Sequence, residues 1–239
     1  MKLNDKKEEK LIDLLYEARD NGDYKAAEKL IKKLKKGESE ELQEILDRFL
    51  DDAIVYQTPK WIEIFLKNGA NPNISNGLPE LALAMKVDFQ MGQKFIEYGA
   101  DVNFSDKSDG YTTLMVLAQE TYFYDDQLLY LIEHGADVNL ADTNGKTAIM
   151  YSLDEGNLSG FNILAEHGAN LLSIDKDGKS VLDYAHEAAE AGILKPKELK
   201  KIEQKIAEAE LKKVDEKLAA MGSSQKPKIA PKVADGLER

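Results

Sequence analysis

The stretch IEHGADVN, residues 132–139, decides the fold of this chain because it occurs four times with small variations. The other copies share its central glycine and polar end: LKNGANPN at 66–73, IEYGADVN at 96–103 and AEHGANLL at 165–172. The central glycines lie 30, 36 and 33 residues apart: Gly69, Gly99, Gly135 and Gly168. A recurring period near 33 residues is typical of a repeat protein, in which each unit packs on the next.

A second series of glycines follows the first and supports the same period. Its members are Gly77, Gly110, Gly145 and Gly178, spaced by 33, 35 and 33 residues. A hydroxyl side chain stands two residues after three of them, namely Thr112, Thr147 and Ser180. Because such side chains cap helix N-termini, a helix is predicted to begin there.

The local chemistry predicts the order of elements within one unit. Apolar residues at helical spacing precede each central glycine, which is predicted to end the helix in a left-handed conformation. His134 and His167 fall in the last turn, where positive charge suits the helix dipole. An Asp or Asn then opens a turn, and Val102 and Val138 are expected to point inward. Each unit is therefore predicted to run turn, helix, helix, turn.

These units resemble the ankyrin repeat. The clearest copies pair GYTTLMVLAQ (110–119) with IEHGADVN, and GKTAIMYSLDEGN (145–157) with AEHGANLL; SVLDYA (180–185) resembles a further first helix. The chain departs from the family where proline and histidine are usual, at Thr113, Ala148 and Val181 and at Met115, Met150 and Asp183. The resemblance covers roughly residues 58–190. It implies an all-α solenoid of helix-turn-helix units with hairpin-like loops.

The segments on either side of the clear copies are predicted to close the array, since terminal repeats have only one neighbour. Residues 1–37 are predicted to form a capping helical hairpin that turns at Asn21-Gly22-Asp23. A single tetratricopeptide-type hairpin is the alternative. The ankyrin repeats are then expected to fill residues 38–194, the first unit being degenerate.

The last part of the chain is predicted to be an amphipathic helix over 195–221, starting at Pro196, with a disordered tail at 222–239. The helix carries two apolar sets on different faces: Leu199, Ile202, Ile206 and Ala209, then Leu211, Val214, Leu218 and Met221. The first set is expected to pack on the last repeat. The second, within 207–221, is expected to contact a partner or another copy; a helix bent back onto the repeats is the alternative. The basic tail is either a recognition segment or a solvated end.

Composition narrows the function. The chain has 239 residues and a net charge of −12, which disfavours nucleic-acid binding and favours a basic protein partner. It has no cysteine, which excludes disulfides and thiolate zinc sites. No signal-like N-terminus or membrane-length apolar stretch is seen. We therefore expect a cytoplasmic protein that does not contact a membrane, and secretion by an unrecognised signal stays open.

Two loops imitate ligand-binding motifs but lack their key residues. Residues 145–147 and 178–180 end like a phosphate-binding loop, yet the glycine needed five residues earlier is replaced by Leu140 and Ser173. A calcium loop needs an acid at its first position and another at its last. Leu140 and Ser173 stand at the first position here, and Tyr151 and Tyr184 stand at the last. The sequence therefore predicts no cofactor, no metal site and no catalytic residue.

The ankyrin resemblance implies that partners bind the concave side, formed by loop tips and first helices. The implied tip positions are Leu78, Asp109, Tyr111, Asn144, Lys146, Asp177 and Lys179. The implied helix positions are Lys86, Gln119, Glu120, Asp154, Glu155 and Glu187. Such a mixed row suits a polar or basic protein surface of standard size.

One unit is longer than the others and carries three adjacent aromatic residues, Tyr122, Phe123 and Tyr124. They are expected either to form a binding hot spot, where large aromatic anchors are common, or to pack over the next repeat and fill the gap made by the insertion.

We therefore expect a non-catalytic protein–protein interaction module or adaptor with a rigid, preformed surface. Two alternatives stay open. One is an acidic inhibitor or immunity-type protein that neutralises a basic enzyme or toxin. The other is a secreted effector that acts in a host cell, as many bacterial ankyrin proteins do. An enzyme is the weakest alternative.

Overall fold

The computed structural model describes residues 5–37, 39, 41–74, 78–105, 107–121 and 124–220, and these form twelve helices in six successive antiparallel pairs. The helices are α1 (Asp5–Asp20), α2 (Tyr24–Lys36), α3 (Leu42–Val55), α4 (Pro59–Lys67), α5 (Glu80–Val87), α6 (Phe89–Glu97), α7 (Thr113–Gln119), α8 (Asp125–Glu133), α9 (Ala148–Asp154), α10 (Leu158–Glu166), α11 (Val181–Glu190) and α12 (Pro196–Ala220). In this described part there is no strand, only isolated antiparallel bridges at the loop bases. None of its helices combines the length and apolar character that a membrane crossing requires. The predicted all-α solenoid is confirmed.

The central glycines end the second helices as predicted. Gly69, Gly99, Gly135 and Gly168 have φ values of 93°, 91°, 92° and 90°. At Gly135 the N–H donates to the Ile132 carbonyl, and the next N–H, of Ala136, donates back to Leu131 at 2.9 Å. This double closure satisfies carbonyls that the helix end leaves without partners.

Hydroxyl residues stand at the start of three first helices, but only two of them cap with their side chains. Thr112 accepts a hydrogen bond from the Met115 N–H at 3.3 Å. Ser180 forms a reciprocal capping box with Asp183. Thr147 occupies the same position at α9 without a side-chain cap bond. The helices therefore begin where the hydroxyl residues predict at all three sites.

A buried core runs through the stack from pair to pair. Phe49, Phe65, Phe95 and Phe161 are almost completely shielded from solvent. Val102 and Val138 are 8% and 7% exposed, so their predicted inward orientation is confirmed. First helices pack on neighbouring first helices and second helices on neighbouring second helices, which is how a solenoid buries a continuous core.

The asparagine that ends the repeated phrase joins each unit to the next. Asn103 accepts the Asp137 N–H at 2.8 Å and donates to the Gly135 carbonyl at 2.9 Å. One unit later, Asn139 accepts the Asn170 N–H at 2.7 Å and donates to the Gly168 carbonyl at 3.1 Å. The same side chain therefore fixes the glycine turn of the following unit.

The α1–α2 hairpin packs against α3 and α4 at one end of the stack. It buries Leu15, Ile31 and Leu34 completely, and it turns at Gly22, whose φ is 67°. The division of the chain into cap, repeats, terminal helix and tail at the expected boundaries stays a prediction.

Helix α12 separates its two apolar sets as expected. Ile202 and Ile206 are 2% and 4% exposed and pack with α11. Leu211, Val214 and Leu218 are 66%, 52% and 45% exposed. This second set is therefore not packed into the core, although Val214 lines a groove with Leu171 and Leu182, and its role stays a prediction. Met221 and the tail lie outside the described residues.

Candidate protein-binding surface

An aspartate in each of two successive loops organises both its own loop and the helix that follows. Asp142 accepts the N–H groups of Asn144 and Lys146 at 2.8 and 2.7 Å through one carboxylate oxygen. Its other oxygen accepts the Tyr151 hydroxyl at 2.7 Å. This aspartate therefore ties the loop tip to α9.

The next unit repeats this arrangement 33 residues later. Asp175 accepts the N–H groups of Asp177 and Lys179, both at 2.9 Å, and the Tyr184 hydroxyl at 2.7 Å. Asp175, which belongs to the loop that resembles a calcium site, therefore accepts hydrogen bonds from its own loop and from a tyrosine. These contacts explain the position of its carboxylate without a ligand.

Two lysines lie on the faces of these tyrosines. The Lys146 ammonium is 4.0 Å from the Tyr151 ring centre and 4.8 Å from that of Tyr184. The Lys179 ammonium is 4.1 Å from the Tyr184 ring centre. A cation over an aromatic face is stabilised by about 0.5–1 kcal/mol at exposed sites, so Lys146 links two neighbouring units.

Each lysine is also paired with an acid on a first helix. Lys146 pairs with Asp154, and Lys179 pairs with Glu187 at 2.6 Å. The two pairs differ in exposure. The Lys146 and Asp154 side chains are 14% and 33% exposed, whereas those of Lys179 and Glu187 are 34% and 58% exposed. The Glu187 carboxylate therefore remains accessible to a partner.

Tyr111 extends the arrangement by one more unit. Its ring centre lies 5.2 Å from that of Tyr151, and the two hydroxyl oxygens are 2.9 Å apart. We call these five side chains the tyrosine–lysine row: Tyr111, Tyr151, Lys146, Tyr184 and Lys179. The row crosses three consecutive units on the side formed by loops and first helices.

Contacts in and around the row shift the pKa values of four groups. Burial, and then hydrogen bonds, raise the pKa of Tyr151 and of Tyr184 well above the ordinary tyrosine value. The Tyr184 hydroxyl lowers the pKa of Asp175, and the hydrogen bond to Glu187 raises the pKa of Lys179. These shifts keep Tyr151 and Tyr184 protonated and Asp175 and Lys179 charged at neutral pH.

Comparison with known protein families identifies the type of repeat that forms this surface. Residues 81–175 and 124–195 match a family model described as ankyrin repeats, in three copies. Residues 81–195 of the chain carry ankyrin repeats. The resemblance seen in the sequence is thereby confirmed, and ankyrin repeats indicate a protein–protein interaction module in general. No curated protein matches the chain at a significant level.

The ankyrin units also place a second cluster of predicted residues together, one unit nearer the N-terminus. Lys86 pairs with Glu120. The Tyr124 hydroxyl lies within 3.5 Å of the Lys86 carbonyl, and its ring packs against the core. Tyr124 thus packs towards the preceding unit; the hot spot and the packing over the next repeat both stay predictions. Tyr122 and Phe123 lie outside the described residues.

The remaining predicted residues are separate from both clusters. The tips Asp109, Asn144 and Asp177 are exposed, as is Glu155 at the end of α9, whereas Leu78 and Gln119 are half-buried. The tips join successive units through their backbones: the Asp109 carbonyl accepts the Thr143 N–H, and the Asn144 carbonyl accepts the Lys176 N–H, both at 2.9 Å. These tips are therefore held in fixed positions along the ankyrin array.

Sequence reasoning did not select Asp142, Asp175, Tyr151 and Tyr184 for this surface. Tyr151 and Tyr184 served only as mismatches to a calcium loop. The signal was present, since an aspartate is followed nine residues later by a tyrosine in both units. An alignment of the ankyrin units by their glycines would have shown these pairs recurring.

Proposed function

We propose that the chain is a non-catalytic interaction module or adaptor that presents the concave side of its ankyrin repeats to a polar or basic protein. The observation that carries this proposal is the preorganisation of the tyrosine–lysine row. Hydrogen bonds and ring contacts already hold its side chains, so binding would order few groups and cost little entropy.

The charges around the row favour a basic partner. Its two lysines are accompanied by four carboxylates, those of Asp142, Asp154, Asp175 and Glu187. The exposed oxygens of Glu187 and the overall charge of −12 would steer a basic surface towards this side. A partner lysine or arginine would then join the existing pairs.

Reversal of the exposed charges tests this proposal. Partners captured from the native cell with the full chain would be titrated against wild type and the double variant Asp154→Lys/Glu187→Lys. We expect affinity to fall at least about tenfold, because like charges then meet the partner. The matched control is Glu133→Lys/Glu166→Lys, which changes exposed acids at the ends of second helices. Equal losses in both double variants would contradict a concave binding site.

The acidic balance also supports the alternative of an inhibitor of a basic enzyme or toxin. Such a complex would be one-to-one and would weaken strongly as salt rises. Calorimetry of the captured pair at low and high salt measures both the one-to-one ratio and the salt dependence. An adaptor would instead bind a second protein at the same time.

We further propose a cytoplasmic location, which the lack of cysteine supports because it suits a reducing compartment. Fractionation of the native cell tests it. Export that is lost on removal of residues 222–239 would instead favour the secreted effector.

The exposed second set of α12 supports a contact role for this helix. Leu211, Val214 and Leu218 recur at helical spacing on one uncovered face. Light scattering of Leu211→Lys/Leu218→Lys tests self-association, and partner titration tests heterotypic contact. If both measurements match wild type, this apolar face of α12 is solvated and makes no contact.

A further inference from the structure

Helix α2 carries the most concentrated positive charge of the described helices. Its 13 residues include six lysines and one glutamate, a net charge of +5, within a chain whose overall charge is −12. All six lysines are exposed: Lys25, Lys29, Lys32, Lys33, Lys35 and Lys36. The overall charge of the chain therefore conceals a cationic helix.

Four of these lysines form a straight row on the side of α2 that faces away from the core. We call them the lysine ridge: Lys25, Lys29, Lys32 and Lys36. At about 100° per residue they fall within about 60° of one another around the helix axis. The buried side chains lie on the opposite side: Ala27, Leu30, Ile31 and Leu34. With a rise of about 1.5 Å per residue, the ridge is roughly 16 Å long.

The lysines of α2 lack counter-ions, unlike five lysines of later helices and loops. Each of those five pairs with a carboxylate: Lys60, Lys86, Lys94, Lys146 and Lys179. Within the described part of the chain, no ion pair or side-chain hydrogen bond involves a lysine of α2. Their ammonium groups are therefore available to an external anion.

The arrangement of these lysines destabilises the helix that carries them. Like charges four residues apart repel on a helix surface, as those of Lys25 and Lys29 do. Lys25 also stands in the first turn, where the partial positive charge of the helix N-terminus favours acids. The helix dipole accounts only for the lysines of the last turn: Lys33, Lys35 and Lys36. An external anionic surface would relieve the repulsion that remains.

Acidic groups border the ridge without covering it. Glu28 is the only acid of α2, and Asp23 precedes the helix as its N-cap residue. Three more acids follow the helix in the sequence: Glu38, Glu40 and Glu41. Helix α1, which packs beside α2, has four basic and six acidic residues. The cationic surface is therefore limited to α2, whose diameter of about 10 Å is close to the screening length in physiological salt.

The composition of the ridge suits a diffuse contact rather than recognition of one group. Arginine, whose planar fork binds phosphate or carboxylate in a fixed geometry, is absent from α2. Sites for nucleic acids add aromatic or polar side chains that contact bases. Lysines are point charges on flexible stems, which can follow anions at variable positions. Anionic lipid head groups present charge in this way, and a straight ridge can meet their plane along its whole length.

We propose that α2 docks the chain on the anionic surface of a lipid bilayer, with the lysine ridge lying on the head groups. The apolar side of α2 is buried in the core and cannot insert, so the contact is reversible and sensitive to salt. This proposal replaces the expectation that the chain does not contact a membrane, which considered only segments able to cross one.

The docked orientation leaves the concave side free. Helix α2 is a second helix, whereas the concave side is formed by loops and first helices. The bilayer and a protein partner can therefore be bound at the same time, and the membrane contact does not depend on the function proposed above.

Co-sedimentation of the full chain with vesicles tests the proposal. One set of vesicles contains phosphatidylcholine alone, and the other contains about one third phosphatidylserine. We expect binding to the anionic vesicles at low salt, none to the neutral vesicles, and release at high salt. Each lysine near such a surface contributes about fivefold to binding. The variant Lys25→Gln/Lys29→Gln/Lys32→Gln should therefore lower the partition coefficient about a hundredfold.

The matched control changes three exposed lysines of α12, as Lys197→Gln/Lys200→Gln/Lys212→Gln. It alters the net charge by the same amount, but on a helix in which seven lysines alternate with six acids. Vesicle binding should therefore stay close to that of wild type. Circular dichroism would verify that both variants are folded, since glutamine favours a helix about as well as lysine does.

Three results would overturn the proposal: no binding to the anionic vesicles at low salt, equal binding to the neutral vesicles, or equal weakening by the two triple variants. Complete displacement from the vesicles by a DNA duplex or by poly-glutamate at equal anion concentration would also overturn it, because the ridge would then favour another anionic polymer. The vesicles contain no protein partner, so loss of partner binding in the concave variants would contradict the proposed function alone.

Discussion

At the scale of single residues, the repeated phrase is preserved where its side chains reach into the next unit. Asn139 makes two hydrogen bonds to the glycine turn that follows, and Asn103 makes the equivalent pair. The sequence alone indicates that the phrase is a helix stop followed by a polar loop. Its final asparagine also sets the position of one unit on the next.

We expect Asn139→Ala to lower the free energy of unfolding by roughly 1–3 kcal/mol, because it removes two hydrogen bonds and leaves their backbone partners without the side chain. Chemical denaturation measures this loss. Asn162→Ala, an exposed asparagine on α10, is the control. Similar losses in the two variants would contradict a linking role for Asn139.

The buried tyrosine hydroxyls make stability sensitive to alkaline pH. Their pKa values are raised in the folded state, so the stability they contribute is complete below about pH 10, the ordinary tyrosine value. Above that pH the unfolded chain loses these protons first, and stability falls. We expect the double variant Tyr151→Phe/Tyr184→Phe to show a shallower loss of stability between about pH 10 and 11, measured by denaturation at each pH. Equal slopes would contradict this.

At the scale of elements, helix ends could be predicted because their causes are local. The glycines and most caps act through neighbours within five residues, as at Gly135 and Ser180. The tyrosine–lysine row could not be predicted in the same way. Lys146 reaches Tyr184 in the following unit, and such a contact depends on how units stack. Nothing in the structure explains the missing cap bond at Thr147, whose backbone angles nearly match those of Thr112.

The loop tips supply a sharp test of stacking between elements. Gly145 and Gly178 occupy the same place in successive units, with φ values of 82° and 85°. A methyl group on Gly145 would lie 3.0 Å from the Lys176 backbone nitrogen, whereas one on Gly178 would meet nothing within 4 Å.

Both alanine variants should lose about 1–2 kcal/mol from the left-handed backbone. Gly145→Ala should lose more, because its loop must also move from the neighbouring one. Equilibrium denaturation of the two variants gives the difference directly, and equal losses would show that the loop contact is unimportant.

At the scale of the whole molecule, the two ends of the stack differ: the α1–α2 hairpin lies at one end and the 25-residue helix α12 lies at the other. The apolar stripes at both ends predict helical caps, and this division of the chain stays a prediction. The sequence did not predict that Arg19, Asp52 and Trp61 line one cavity, since they come from three helices that meet only after folding.

We expect removal of residues 1–37 to expose the apolar side of α3 and α4 and to cause aggregation. The physical reason is that terminal units without a polar cover leave core residues in water. Binding of a hydrophobic dye and light scattering measure this effect. Removal of 222–239 is the control, and it should leave both signals unchanged. A soluble, dye-silent truncated protein would contradict the capping role.

The position of Trp61 gives the molecule a spectroscopic asymmetry. Its only indole lies in α4 near one end, whereas most of the helices lie beyond it. Because neighbouring units alone stabilise each other, the two ends of such an array can melt separately. Indole emission would then follow the first helices while far-ultraviolet dichroism follows the whole chain. Two transitions that fail to coincide would mark the boundary at which cooperativity between units breaks.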